Sequence, residues 1–355
     1  MSRSLAASAL ATLAGLASCD SSDPPVTDTD APARPSPRGR SPVVDPSRHS
    51  VETLEFVPAA YVRVGAGDWL VLSEAGVAPL PGEELVIRGE PRTHEGHAYA
   101  LTEDQSIVEL RPSGPTEIEG SRLSDISVRE FTIGADSTFW ALTDRKVLHY
   151  TNETWTEIPF DVGRSGEQPT GLAVDAMGAP WVSTKKTLYR RRGNTWNTVA
   201  FPNSDSAVFL QGLTNAPWGT VYLPFRGNVV EFDGEAAKVA ARPPEFGTLG
   251  DLRFAVGPDA THFAMAMLPT GPDPEATGAV LFAPTHRVVR SLNVGRLTSA
   301  AVDGQGRLWL LGTSKLVVRD PDGGSTAYSS SSLGGLSSTG GTLVVTGRGP
   351  ELPEP

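Results

Sequence analysis

The sequence predicts an all-β fold built from one four-stranded unit repeated around a closed ring. Three observations predict it. First, the phrase "FWALTDRKVLHYTNETW" (Phe139 to Trp155) returns as "PWVSTKKTLYRRRGNTW" (Pro180 to Trp196). A slide of 41 residues superimposes Trp140 on Trp181, Thr143 on Thr184, Trp155 on Trp196 and Phe160 on Phe201 without a gap. Second, the same step reaches Tyr99 upstream, then Tyr222 and Phe263 downstream. Trp309 follows Phe263 after 46 residues, the extra length matching the Pro/Gly-rich insertion Leu268 to Gly278. Third, after the first twenty residues the chain shows no 3.6-residue apolar period. Short apolar runs alternate with Gly, Asn, Asp and Pro instead, which is the pattern of strands and tight turns.

In chain order, the first element is an address. "MSRSLAASALATLAGLASC" sets Arg3 in a short polar start, then an Ala/Leu-rich run from Leu5 to Leu16, then small residues. That layout is a secretory signal, and its apolar run is short for a membrane span. Leu16-Ala17-Ser18-Cys19 resembles the bacterial lipobox. In that family the chain is cut before the cysteine, and the new N-terminal Cys carries lipid. Cys19 is the single cysteine of the chain, so neither an internal disulfide nor a Cys-based metal cluster is expected. The resemblance implies a lipoprotein signal peptide over residues 1–18 and lipid attachment at Cys19. It also implies a place in the cell envelope, outside the cytoplasm and held to a membrane through the lipid. The choice between inner and outer membrane stays open, as does an ordinary secretory signal with Cys19 nearby by accident. Residues 19–55 are rich in Pro, Asp, Ser and Arg and poor in large apolar residues. Such a segment buries too little surface to offset its chain entropy and reads as a disordered stalk.

Residues 56–349 carry the repeat. In one unit "TGLAVDA", "APWVST", "TLYRRR" and "TWNTVAF" read as successive strands. Asp, Asn and Gly occupy the turns between them, where positive φ is tolerated. Four strands in about 41 residues, repeated, predict a β-propeller. The recurring second-strand aromatic is expected to pack between blades. The second tryptophan of each phrase, Trp155 or Trp196, is expected to open the outermost strand and cover the blade edge. "GGTLVVTG" (Gly340 to Gly347) repeats the inner half of a unit with Val344 at the aromatic position. "AYVRVGAGDWLVLSEAG" (Ala60 to Gly76) reads as an outer half, with Trp69 matching Trp155 and Trp196. The two halves make a composite closing blade and a count of seven. Six or eight follow if one end is misread. Residues 350–355 are a tail.

The formal charge is −11, which disfavours nucleic acid as a partner because phosphate binding uses a positive field. No GxSxG elbow and no phosphate loop is present. His94 and His97 lie three apart, without a third ligand or an HExxH context, so no metal is expected there. His149 and His262 fall on strands as packing residues, and His49 falls in the stalk. "DPDGG" (Asp320 to Gly324) reads as a hairpin turn rather than a calcium loop. No catalytic residue and no cofactor is indicated. The turns between second and third strands share one face, and in five blades they are basic: Arg145 and Lys146, Lys185 and Lys186, Arg226, Lys315, Arg348. Within these turns only Asp144 opposes them. On an acidic chain such a rim focuses an anionic partner: an envelope protein, a cell-wall polymer or lipid headgroups. The competing reading is a set of ordinary solvated hairpin turns.

"VDAMGAPWVSTKKTLY" and "VDGQGRLWLLGTSKLVV" resemble the repeat of two-component regulator propellers. Asp175, Gly178, Trp181 and Thr184 match in one unit. Asp303, Gly306, Leu308, Trp309, Gly312 and Thr313 match in the other. Thr187 and Lys315 replace the glycine of the family's closing Gly-Leu. The resemblance implies an extracytoplasmic sensor module. The chain continues into neither a membrane helix nor a kinase, so signalling is not expected to carry over. NHL-type and streptogramin lyase-like propellers share similar repeats. The expectation is a lipid-anchored binding or scaffold module. The alternative is a lyase- or lactonase-like enzyme with carboxylates and histidines at a central channel.

Overall fold

The computed structural model describes residues 59–64, 69–82, 86–124, 126–161, 167–199, 212–225, 228–233, 236–241, 252–257, 259–268, 278–285, 287–290, 294–329, 341–347 and 349–350. The signal peptide, Cys19 and the stalk lie outside them, as do His49, Arg226, His286, Arg348 and residues 351–355. Among the described residues no helix is long and apolar enough to cross a membrane.

Seven antiparallel sheets of four strands each form the blades. Blade II holds β4 (Ile87–His94), β5 (His97–Thr102), β6 (Ile107–Arg111) and β7 (Gly114–Glu117). Blade III holds β8 (Glu130–Ile133), β9 (Phe139–Leu142), β10 (Lys146–Thr151) and β11 (Thr154–Pro159). Blade IV holds β12 (Pro169–Val174), β13 (Pro180–Thr184), β14 (Leu188–Arg192) and β15 (Thr195–Val199). Blade V holds β16 (Thr214–Asn215), β17 (Val221–Phe225), β18 (Asn228–Asp233) and β19 (Ala236–Ala241). Blade VI holds β20 (Leu252–Val256), β21 (His262–Leu268), β22 (Gly278–Ala283) and β23 (Arg287–Arg290). Blade VII holds β24 (Leu297–Val302), β25 (Leu308–Gly312), β26 (Lys315–Arg319) and β27 (Ser325–Ser329). Blade I joins β28 (Gly341–Val345) to β1 (Ala60–Val64), β2 (Trp69–Ser73) and β3 (Gly76–Pro79). The seven-bladed all-β propeller and its composite closing blade match the sequence reading.

The partition of that closing blade differs from expectation. The N-terminal segment supplies three strands and the C-terminal segment one, in the order β28-β1-β2-β3. Val344 therefore stands on the innermost strand, and its partner on β1 is Tyr61. Tyr61 occupies the position that Trp181 holds against Ala173 and Trp309 against Ala301. Trp69 opens the third strand, not the fourth, because β28 takes the innermost place and moves β1 to second and β2 to third. Closure rests on the β1–β28 ladder and on Thr346, whose hydroxyl donates to the Ala59 carbonyl at 2.9 Å and accepts its N–H at 3.1 Å. It leaves no open sheet edge between the two termini.

The aromatic column is a packing device, as expected. Trp181 and Trp309 are fully buried. Each contributes to an apolar cluster that spans neighbouring blades: Trp181 meets Leu223 and Phe232 of blade V, and Trp309 meets Leu72 and Leu343 of blade I. The outer tryptophans also reach across the blade boundary. Trp155 Nε1 donates to the Ser121 carbonyl and Trp196 Nε1 to the Pro159 carbonyl, both at 2.9 Å.

The turn between first and second strands repeats as faithfully as the aromatics. Ser137, Gly178, Gly219, Ala260 and Gly306 all take positive φ, from 62° to 82°. Each donates its N–H to the carbonyl three residues back. The threonine of the repeat serves the next turn: the hydroxyls of Thr143 and Thr184 accept the N–H groups of Lys146 and Thr187 at 2.9 and 3.0 Å.

Candidate functional site

The innermost strands β4, β8, β12, β16, β20, β24 and β28 line the central channel, and charged side chains enter it from strands otherwise built for burial. On β4 the ladder pairs Arg88 with Leu101 and then skips to Arg92 with Tyr99. Gly89, Glu90 and Pro91 leave the ladder as a bulge, with Gly89 at φ +77°. A bulge re-aims the side chain that it carries. Glu90 is thereby carried to Arg253 of β20, with Oε2 at 2.8 Å from Nη2. Blades II and VI are not neighbours, since blades VII and I stand between them in the ring. This ion pair therefore crosses the channel.

A second pair joins adjacent blades. Arg92 Nη2 lies 2.5 Å from Glu130 Oε1 of β8, and its Nε donates to the Phe131 carbonyl at 3.3 Å. Deeper in, Asn215 of β16 ties three blades together. Its Oδ1 accepts the Thr132 hydroxyl at 2.8 Å and the Val174 N–H at 3.1 Å, and its Nδ2 donates to the Ile133 carbonyl at 2.7 Å. Inner strands of blades III and V thus meet in front of blade IV.

Between these contacts and solvent lies a cavity of about 620 Å³ whose wall includes Arg88, Arg92, Arg129, Arg253, Glu90 and Glu130. A narrower space of about 60 Å³ continues inward past Arg92 and Arg253 to His94. Arg129 ties the mouth to the rim, because it forms an ion pair with Asp144 in the β9–β10 turn. Mouth and rim are on one face. The mouth carries more guanidinium than carboxylate charge, on a chain whose net charge is negative. Arginine forks of this kind hold carboxylates and other oxyanions by paired, charge-assisted hydrogen bonds.

The rim residues fall partly as read. Arg145, Lys185 and Lys186 are exposed in the second-to-third-strand turns of blades III and IV. Lys146 opens β10 and pairs with Glu157 at 2.5 Å. Lys315 opens β26, half-buried. Arg348 follows β28, which is an innermost strand. The described residues on either side, Gly347 and Gly349, stand beside the first turn of blade VII, with Gly304 N–H donating to the Gly347 carbonyl at 2.7 Å. Arg348 itself lies outside the described residues; the strand before it, β28, which the sequence reading counts as a second strand, is an innermost one.

The histidines have separate partners. His94 is buried and bonds Ser137 Oγ through Nε2 at 3.0 Å, and burial holds its pKa below the ordinary value. His97 Nδ1 lies 2.8 Å from Glu109 Oε1, while Arg111 holds the other oxygen at 2.5 Å. His149 stacks on Trp140 with centroids 3.8 Å apart, and His262 on Trp218 at 4.2 Å. Among the described residues no group of three His, Cys, Asp or Glu side chains is placed to hold a metal ion. In "DPDGG" the N–H of Gly323 and the carbonyl of Gly324 both bond Asp320, as a hairpin turn requires.

Sequence reading missed the mouth. The available signal was "IRGEPRTH" (Ile87 to His94), three charged side chains and a histidine among eight residues of a strand due to be innermost.

No family model matches the chain, and no curated protein matches it. Solved structures share the architecture at low identity. A YCF48 protein from Cyanidioschyzon merolae matches at 14% identity over 70% of this chain and 86% of that one, with a TM-score of 0.45. A virginiamycin B lyase from Staphylococcus aureus matches at 14% over 58% of this chain and 71% of that one, TM-score 0.41. The extracellular domain of the hybrid two-component system BT4673 from B. thetaiotaomicron matches at 13% over 77% of this chain and 45% of that one, TM-score 0.37. What these neighbours share with the chain is the propeller.

Proposed function

We propose that this protein is a binding or scaffold module of the cell envelope, lipid-anchored through Cys19, that captures an anionic partner on the rim face of its propeller. The observation that carries the reading is the arginine-walled channel mouth on the same face as Lys185 and Lys186. A rigid ring holds these cations at fixed positions, so little order is lost when a partner docks. The lipobox-like Leu16-Ala17-Ser18-Cys19 supports the anchor. The competing proposal is a lyase- or lactonase-like enzyme with carboxylates and histidines converging in the channel. The ionic groups that converge at the mouth are arginines and two glutamates.

Two experiments test the proposal. Cys19→Ala should move the protein from the membrane to the soluble fraction, and continued membrane retention counts against the anchor. Crosslinking in the native envelope should capture a partner, with capture reduced by Lys185→Glu with Lys186→Glu. Equal capture by the charge-reversed protein removes the rim from the proposal.

A further inference from the structure

We propose that the channel mouth binds an acidic peptide segment, with Glu90 and Glu130 holding the place of the ligand's carboxylates in the free protein; this rests on the binding reading above. The mouth is of ligand size, about 620 Å³, within the roughly 300–1,000 Å³ usual for such sites. Its cations are spread along a path from the rim inward: Arg129 beside Asp144, Arg88 on the wall, then Arg92 and Arg253 where the channel narrows. A ligand matching that path needs several carboxylates spaced along a chain, which a peptide with acidic side chains supplies. The carboxylate preference is written into the molecule. Arg253 already holds Glu90 at 2.8 Å and Arg92 holds Glu130 at 2.5 Å.

Both internal acids are held in ways that allow exchange. Glu90 sits on a bulge outside the β4 ladder, and its side chain is 40% exposed. Glu130 is the first residue of β8, with a side chain 28% exposed. An incoming carboxylate would take the guanidinium and release the internal one to water, so the pair count is preserved. Affinity is then set by a competition, and removing the internal competitor should strengthen binding.

The test uses the mature full chain and a fluorescently labelled hexaglutamate peptide, read by anisotropy. Hexaglutamine and inorganic phosphate serve as comparison probes. Hexaglutamate is expected to bind saturably and to weaken with salt. Glu90→Gln should bind it about tenfold more tightly, since a charge-assisted contact is freed. Arg253→Gln should weaken it by at least about tenfold. The gain in Glu90→Gln keeps the test decisive, because a misfolded variant loses affinity. Three results would overturn the proposal: no hexaglutamate binding by either wild type or Glu90→Gln, equal affinity in those two proteins, or displacement of the peptide by equimolar phosphate. If Arg253→Gln still captures the envelope partner as wild type does, the mouth fails and the binding reading stands. If the peptide behaves as expected and the envelope yields no partner, the mouth stands and the envelope reading fails.

Discussion

The indole N–H of Trp181 donates to the carboxylate of Asp175 at 3.0 Å, and Trp309 repeats the bond to Asp303 at 2.8 Å. Each aspartate also accepts two N–H groups of its own turn and an arginine. Asp175 takes Met177 N, Ala179 N and Arg190, while Asp303 takes Gln305 N, Arg307 N and Arg307 Nε. The Asp-x-x-Gly-x-x-Trp spacing of the repeat is thus a buried polar cluster that sets the turn and the tryptophan together. In blade III, Gly134 replaces the aspartate, and Trp140 Nε1 bonds Thr138 Oγ1 instead at 2.9 Å.

Asp175→Ala should be severely destabilising. Arg190 is 5% exposed and lies over the Trp181 ring, 5.3 Å from its centroid. Without Asp175 that guanidinium is buried and unpaired, at a cost of about 3–5 kcal/mol. The double variant Asp175→Ala with Arg190→Met should lose less than the single change. Urea unfolding measures both, and a single-variant loss below about 1 kcal/mol would show that the cluster is not coupled.

Two buried acids should shape the pH dependence with opposite signs. Burial pushes the Glu109 carboxyl up, but hydrogen bonds from His97 and Arg111 push it down further, and its pKa lies below the ordinary value. Its contribution is present above the unfolded-state pKa, about 4.3, and is lost as pH falls through the folded value. Glu109→Gln should therefore flatten the acid limb of the stability curve. Burial of Asp303 outweighs the opposing pull of Arg307 and Trp309 and raises its pKa. The folded state then holds the proton more tightly. That contribution is complete below the unfolded pKa and is lost as pH rises through the folded one. Asp303→Asn should remove this fall. Denaturant unfolding from roughly pH 3 to 7 separates the two slopes.

The repeated turn allows a paired comparison. Ala260 and Gly219 occupy one position in successive blades, at φ +62° and +82°. Ala260→Gly should stabilise by up to about 1 kcal/mol, because an L residue in the left-handed region costs roughly 1–2 kcal/mol and glycine returns part of that as chain entropy. Gly219→Ala should cost more than strain alone, since its Cβ would stand 2.4 Å from Ala176 Cα of blade IV. Gly178→Ala, with no heavy atom within 4 Å of the added carbon, should show only the strain. Thermal unfolding of the three variants checks the order.

Asn215→Ala should loosen the ring at the channel. It removes the acceptor for Thr132 and Val174 N–H and the donor to Ile133. The expected loss is about 1–3 kcal/mol, with faster amide exchange at Val174. Asn215→Asp should be worse, because a carboxylate would then face the Ile133 carbonyl. Equal stability of the two variants would contradict this account.

The sequence by itself determined the fold class and the residues that pack the blades, and it pointed to seven blades, the number that the structure shows. Blade-to-blade contacts recur at every step, so the chain repeats Trp140, Trp181 and Tyr222, and the left-handed turn residues, at constant spacing. It also placed Lys185 and Lys186 in one exposed turn, since turn position follows from strand order. Tertiary structure alone decided how the closing blade is divided between the two ends of the chain, because Val344 and Tyr61 both suit an inner strand and only their pairing ranks them. It alone decided the channel mouth as well. Arg253 and Glu90 are far apart in the chain and belong to blades that do not touch along their edges. Nothing periodic encodes a contact made across the axis of a ring, where the physical requirement is a bulge at Gly89 and a partner on the far side.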